Sequence, residues 1–145
     1  MNFPSLLFSV VLVLGGSPQD RFFYALGMQE STLGQNLYGD YCKRTGEYEA
    51  VGWYGIHKIY VDDVNKILGK EVFSYADRLD PAKSRRMVCI YLSHYASERR
   101  LGRTPTVWDL ARIHNGGPNG HRKQSTITYA QEFARYWSNQ NEVSF

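Results

Sequence analysis

The sequence predicts a mainly α, single-domain protein with a short irregular or β-like segment between its first helices. Apolar residues recur at helical spacing in several stretches, and Asp80-Pro81 and Thr104-Pro105 supply helix-start signals, an N-capping type followed by proline at the first helical position. A length of 145 residues leaves room for one proper core and not for two.

Taken in order, the chain opens with the apolar run Leu6–Leu14 and the small residues Gly15, Gly16 and Ser17. Such a run suits an export signal and is too short to span a bilayer. Residues 1–18 are expected to be a signal peptide and 19–145 the domain, the mature chain starting near Pro18 to Asp20 in a secreted or periplasmic setting. The other reading is a buried first element, since Met1 to Pro4 carries no Lys or Arg. The next stretch, Asp20–Ser31, spaces Phe22, Phe23 and Leu26 as one helix face, with Glu30 four residues after Leu26. A carboxyl on an apolar face is pushed towards its neutral form and can then hand a proton to a leaving oxygen, as in glycoside cleavage. A helix-end glutamate can equally turn to solvent.

A polar, glycine-bearing stretch follows from Gly34 to Gly46, and a few extended residues are expected from Glu49 to Gly55. Tyr60–Leu68 reads as an amphipathic helix through Val61, Val64, Ile67 and Leu68. The helix starting at Asp80-Pro81 turns Met87, Tyr91, Leu92 and Tyr95 inward and should stop before Gly102. Thr104-Pro105 starts the helix of Trp108–His114, which breaks at Asn115-Gly116-Gly117-Pro118-Asn119-Gly120. A last helix begins near Thr126 or Thr128, with Tyr129, Phe133, Tyr136 and Trp137 on one face.

Composition narrows the function classes. A net charge of +3 falls short of the concentrated basic stripe of a nucleic-acid binder. The four histidines show no metal-ligand spacing, no CxxC pair occurs, and GxSxG, HExxH and phosphate-cradling loops are missing. No metal and no cofactor is expected. Cys42 and Cys89 can be joined, closing a loop worth roughly 4 kcal/mol in the chain-entropy picture, or stay as buried thiols. Eleven tyrosines, seven phenylalanines and three tryptophans suit a tightly packed small domain or a groove lined with flat rings.

Five segments in order resemble the lytic transglycosylase and goose-type lysozyme superfamily, the transglycosylase SLT-like domain: Glu30-Ser31; Ala50-Val51-Gly52-Trp53-Tyr54-Gly55-Ile56, similar to Gly-x-x-Gln-Ile; Asp80-Pro81 leading into Tyr91-Leu92; Ile113-His114-Asn115-Gly116-Gly117, similar to Ala-Tyr-Asn-x-Gly; and Thr126-Ile127-Thr128-Tyr129, similar to Glu-Thr-x-x-Tyr. The likeness runs from Asp20 to Tyr136. It implies a lysozyme-like domain, a monomer without stable membrane insertion once the signal is removed, that cuts peptidoglycan glycan strands between N-acetylmuramic acid and N-acetylglucosamine.

Carried over by residue, the resemblance makes Glu30 the general acid and later the base. Ser31 steadies the acid or a substrate carbonyl, or is simply a turn residue at the helix end. Gly52, Tyr54, Ile56, His114, Asn115, Gly117 and Tyr129 bind or position substrate, Asn115 orienting an N-acetyl group and Tyr129 setting the hydrogen bonding of Glu30. Asn115 also reads as a turn residue beside two glycines, and Tyr129 as core. Two departures stand out: Gly55 replaces the family's Gln, and His114 its Tyr. They support the alternative, a catalytically inactive glycan-binding or structural protein on the same fold. Asp40, Glu47 and Glu49 are candidates for a water-activating second carboxylate. A transglycosylase needs none, because the muramic acid hydroxyl attacks within the bound sugar.

Overall fold

The computed structural model describes residues 17–140, so the apolar run read as an export signal lies outside the described residues. The protein is mainly α: α1 (Pro18–Ser31), α2 (Lys58–Leu68), α3 (Pro81–Tyr95), α4 (Glu98–Leu101), α5 (Val107–Gly116) and α6 (Ile127–Asn139), with one two-stranded hairpin, β1 (Tyr41–Cys42) and β2 (Glu47–Tyr48). Single 3₁₀ turns at Tyr75–Leu79, Gly120–Arg122 and Gln124–Thr126 complete it.

Several boundaries differ from the sequence expectation, three of them in ways that matter for the fold. The hairpin pairs Tyr41 with Tyr48 and Cys42 with Glu47, earlier than the expected extended residues. Of those, Val51 alone makes bridges, to Tyr38 and to Ile56. The helix expected from Pro81 to Gly102 is two. Asp80 Oδ1 does cap its start, accepting from the Lys83 amide at 2.9 Å. The chain then leaves the helix after Tyr95, and Ser97 caps α4 by accepting from Arg100 N. Lastly, α5 begins at Val107 with Thr106 as its N-cap, instead of starting at Thr104-Pro105. Thr106 and Asp109 form a reciprocal capping box, satisfying two otherwise orphaned amides.

The chain divides into two compact units, residues 17–29 with 92–140, and residues 30–91. In the first, Phe22, Leu26, Leu110, Ile113 and Phe133 are almost wholly buried. Phe22 packs its ring 5.6 Å from that of Phe133. In the second, Ile56, Val61, Val64, Met87 and Val88 are buried, and Tyr60 stacks on Tyr91 with centroids 3.8 Å apart. Cys42 and Cys89 are not joined. Among the described residues no helix is long and apolar enough to cross a membrane.

Candidate active site around Glu30

Glu30 is the penultimate residue of α1 and is half-buried, between the two placements its position allowed. Immediately after it the backbone turns through Thr32 (φ 52°), Leu33 (φ 53°) and Gly34 (φ 82°). Left-handed backbone is uncommon for any residue with a Cβ and unusual for a β-branched threonine. Ser31, only 2% exposed, holds the turn together. Its hydroxyl donates to the Trp53 carbonyl at 2.9 Å and accepts from the Gly34 amide at 2.8 Å. Ser31 thus fills the turn-residue role and ties Glu30 to the second motif.

That motif is a tight loop. Val51 and Ile56 exchange backbone hydrogen bonds of 3.2 and 3.0 Å, and Gly55 N–H donates to Gly52 O at 3.3 Å. Gly55 has φ +58°, and a Cβ built on it would stand 2.9 Å from Glu30 Cδ and closer still to Oε2. The glutamate carboxylate therefore occupies the space above Gly55 where a side chain would begin. Gly52 packs against the Arg78 backbone, Ile56 is fully buried and Tyr54 is 6% exposed. The Ile56 carbonyl accepts from Arg78 Nη1 at 3.2 Å, which locks the loop from behind.

Tyr60, from α2, is the residue the sequence did not single out. Its hydroxyl is held well above the usual phenol range, first by burial and then by Tyr91, Cys89 and Glu30. It is therefore a protonated, electrically neutral neighbour of the glutamate. Burial likewise raises the Tyr54 hydroxyl, opposed by Arg85 and reinforced by Cys89. Tyr60 is the first inward residue of an amphipathic helix, a position that reads as core in any sequence.

Of the three hairpin carboxylates, Glu47 is engaged. It accepts from Lys58 Nζ at 2.6 Å, and this bond, ahead of the ammonium charge itself, holds its carboxyl below the usual range. Asp40 and Glu49 are exposed on either side of the hairpin, their backbones joined by a 3.1 Å Glu49 N–H to Asp40 O bond.

His114, Asn115, Gly117 and Tyr129 belong to the first unit. Asn115 is exposed in the last turn of α5, so it is helical and not the left-handed turn residue that two following glycines suggested. His114 is 7% exposed, and Tyr129 lies half-buried in α6. Gly117 terminates α5 with φ 85° and ψ −170° while its amide donates to Ile113 O. The Lys123 ammonium caps the free Gly116 carbonyl at 2.6 Å. Thr126, 1% exposed, joins the last two motifs: its hydroxyl accepts from Arg112 Nε at 2.8 Å and donates to Gly120 O at 2.7 Å, while its methyl packs where a Gly116 side chain would stand.

A lysozyme of Ostrea edulis is 35% identical to the chain over 88 residues. The likeness is to a lysozyme. It covers 61% of this chain, and the chain spans about 61% of that relative's length. No protein-family model matches the chain. The similarity and the mainly α fold with its short hairpin support a lysozyme-like relationship, coarser than the transglycosylase or goose-type assignment.

Proposed function

We propose that the chain cleaves peptidoglycan glycan strands between N-acetylmuramic acid and N-acetylglucosamine, with Glu30 as general acid and then base. The observation that carries this reading is the fit between Glu30 and Gly55. The carboxylate is seated on a glycine in left-handed backbone, next to the turn that Ser31 holds, and its charge is felt by the buried, neutral Tyr60. The departure from Gln at position 55 then becomes an accommodation of the acid, which removes the main support for an inactive protein. Gly52, Tyr54, Ile56 and Ser31 act as positioning residues for that seat. On the same reading, Asn115 contacts the sugar N-acetyl group, His114 and Gly117 set the helix end that presents it, and Tyr129 supports it. The domain is residues 19–145, exported behind a signal in residues 1–18 and working as a monomer.

Intramolecular attack by the muramic acid hydroxyl is the product-forming route we propose. It needs only Glu30 and gains from the proximity of a hydroxyl already in the bound sugar. Hydrolysis is the second reading, favoured by the likeness to a protein named lysozyme. It calls for a base, for which Asp40 and Glu49 remain while Glu47 is held by Lys58. Glu30→Gln keeps shape and cannot donate the proton, so clearing of a cell-wall suspension is expected to fall by about two to four orders of magnitude while wall binding survives. Clearing at the parental rate would remove Glu30 from the mechanism.

A further inference from the structure

Charge is divided unevenly between the two units. Residues 30–91 carry nine Lys and Arg against nine Asp and Glu, whereas residues 17–29 with 92–140 carry eight against four. The excess gathers around one loop. From residue 110 to residue 131 the chain has no carboxylate, yet it carries Arg112, Arg122 and Lys123. Arg100 joins them from α4, donating through Nη1 to Pro118 O and through Nη2 to Asn119 Oδ1 at 2.7 Å. Arg112 donates through Nη2 to Lys123 O at 2.8 Å, and Lys123 Nζ donates to Gly116 O at 2.6 Å. Four cations therefore meet at the loop of residues 116–123.

A bond to a neutral carbonyl orients a cation and leaves its charge in place. Arg100, Arg112, Arg122 and Lys123 form no ion pair among the described residues, and Asp109 is already taken by Arg103 at 2.6 and 2.8 Å. Arg100, Arg122 and Lys123 are exposed, so their field reaches solvent. His121, on the same loop, registers that field. Its Nδ1 is buried with no hydrogen-bond partner among the described residues. Its imidazole is held below the usual histidine range, first by burial and then by Arg122, with Arg100 and Arg103 adding to this and Asp109 opposing it.

Such a surface calls for an anion. The guanidinium fork suits phosphate oxygens, and cations spread along a loop suit a chain of charged groups better than one compact ion. Reading the base edges of a duplex requires side chains free to enter a groove. Arg100, Arg112 and Lys123 are instead tied to backbone carbonyls, so they supply a field without a readout. A flexible phosphodiester chain needs only the field. We infer that the loop of residues 116–123, with Arg100 beside it, is a docking surface for a linear phosphodiester polymer. It lies wholly within the first unit and rests neither on Glu30 nor on the glycan-cleaving reading.

The test titrates the full, isotope-labelled chain with poly(glycerol phosphate) at low salt and follows the imidazole signals. His121 should shift saturably and its titration midpoint should rise, because a bound anion offsets the guanidinium charges, while His57 of the second unit stays still. Binding should weaken about tenfold or more as salt rises from about 50 to 200 mM. Arg122 is exposed on its 3₁₀ turn, so Arg122→Gln should fold and weaken binding about threefold to tenfold, and Arg122→Lys should restore most of it. An unmoved His121 at excess polymer would overturn the surface. So would an equal shift from inorganic phosphate at the same phosphate concentration, which would make this a site for one small anion. Tighter binding of duplex DNA or of poly-glutamate would overturn the phosphodiester chain as the partner. Glu30→Gln should bind the polymer as the parent does. If it binds and still clears walls, the catalytic reading fails and the surface stands. If clearing needs Glu30 while His121 stays silent, the surface alone fails.

Discussion

The two helix ends that carry the motifs solve the same problem in opposite ways. After α5 the chain turns at Gly117, whose φ 85° and ψ −170° cost a glycine little, and Lys123 covers the last carbonyl. After α1 it turns through Thr32 and Leu33, both in left-handed backbone with full side chains. Non-glycine residues held there cost on the order of 1–3 kcal/mol each and persist only when their surroundings over-determine them. Those surroundings are visible: Ser31 bonds Gly34 N–H and Trp53 O, and the Trp53 ring lies against Gly34. The contrast teaches that the end bearing Asn115 is built for economy, whereas the end bearing Glu30 tolerates strain to keep its carboxylate over Gly55. Strain concentrated beside the carboxylate proposed as the acid is what a functional site would show.

The largest effect should come from filling the space under Glu30. Gly55→Gln restores the side chain of the resembled family, yet it must fit at φ +58° and start inside the Glu30 carboxylate. Activity on cell walls is expected to drop about 100-fold, the order seen when a reacting group is misplaced by about 1 Å. An active or improved Gly55→Gln would show that Glu30 does not work from this position.

Next, Gly117→Ala should cost about 1–3 kcal/mol in a denaturant titration, because its φ and ψ fall in a region open essentially to glycine alone. Thr32→Gly should do the reverse and gain about 1 kcal/mol, the left-handed penalty less the added chain entropy. Loss of stability in Thr32→Gly would mean that its side chain is held in the turn, and the contrast between the two ends would dissolve.

Between those effects in size lies the anchor at the start of α5. Burial alone would raise the Asp109 carboxyl, but two bonds from Arg103 (2.6 and 2.8 Å) and those from Thr106 outweigh it and hold it down from 3.8 to about 2. A carboxyl lowered in the folded state stabilises above its unfolded value and loses that contribution as pH falls through the folded one. Roughly 2 kcal/mol should therefore disappear between about pH 4 and pH 2. Asp109→Asn should remove that acid-dependent loss from stability curves; an unchanged acid limb would place it elsewhere.

Much of this architecture was legible beforehand. The inward faces of α1, α2, α3 and α6 follow from spacing, and Asp80 caps where the sequence put it. The β-like segment between the first helices was expected, but it was placed at Glu49 to Gly55, because Tyr41, Cys42, Glu47 and Tyr48 show no alternating burial, being mostly exposed. The break after Tyr95 was hidden because its only mark is a serine, Ser97, in a continuing helical pattern. At the site, Glu30, Ser31 and Gly55 were named from motif likeness, but the meaning of Gly55 reversed. A glycine in place of a glutamine reads in sequence as a lost hydrogen bond, and only the left-handed φ and the neighbouring carboxylate show it as required space. Tyr60, Arg78 and Thr126 act through contacts across long sequence separations, which local spacing does not encode.

The most direct test of the central claim is mass spectrometry of fragments released from purified peptidoglycan by the parent chain and by Glu30→Gln. The parent should release fragments cut between N-acetylmuramic acid and N-acetylglucosamine. By the intramolecular route their ends are lighter by one water and resist borohydride, while Glu30→Gln should release almost none. Reducible ends throughout would keep Glu30 and replace the route by hydrolysis, with Asp40 and Glu49 the next residues to change. Equal release by parent and variant, or no glycan cut by either, would contradict the account.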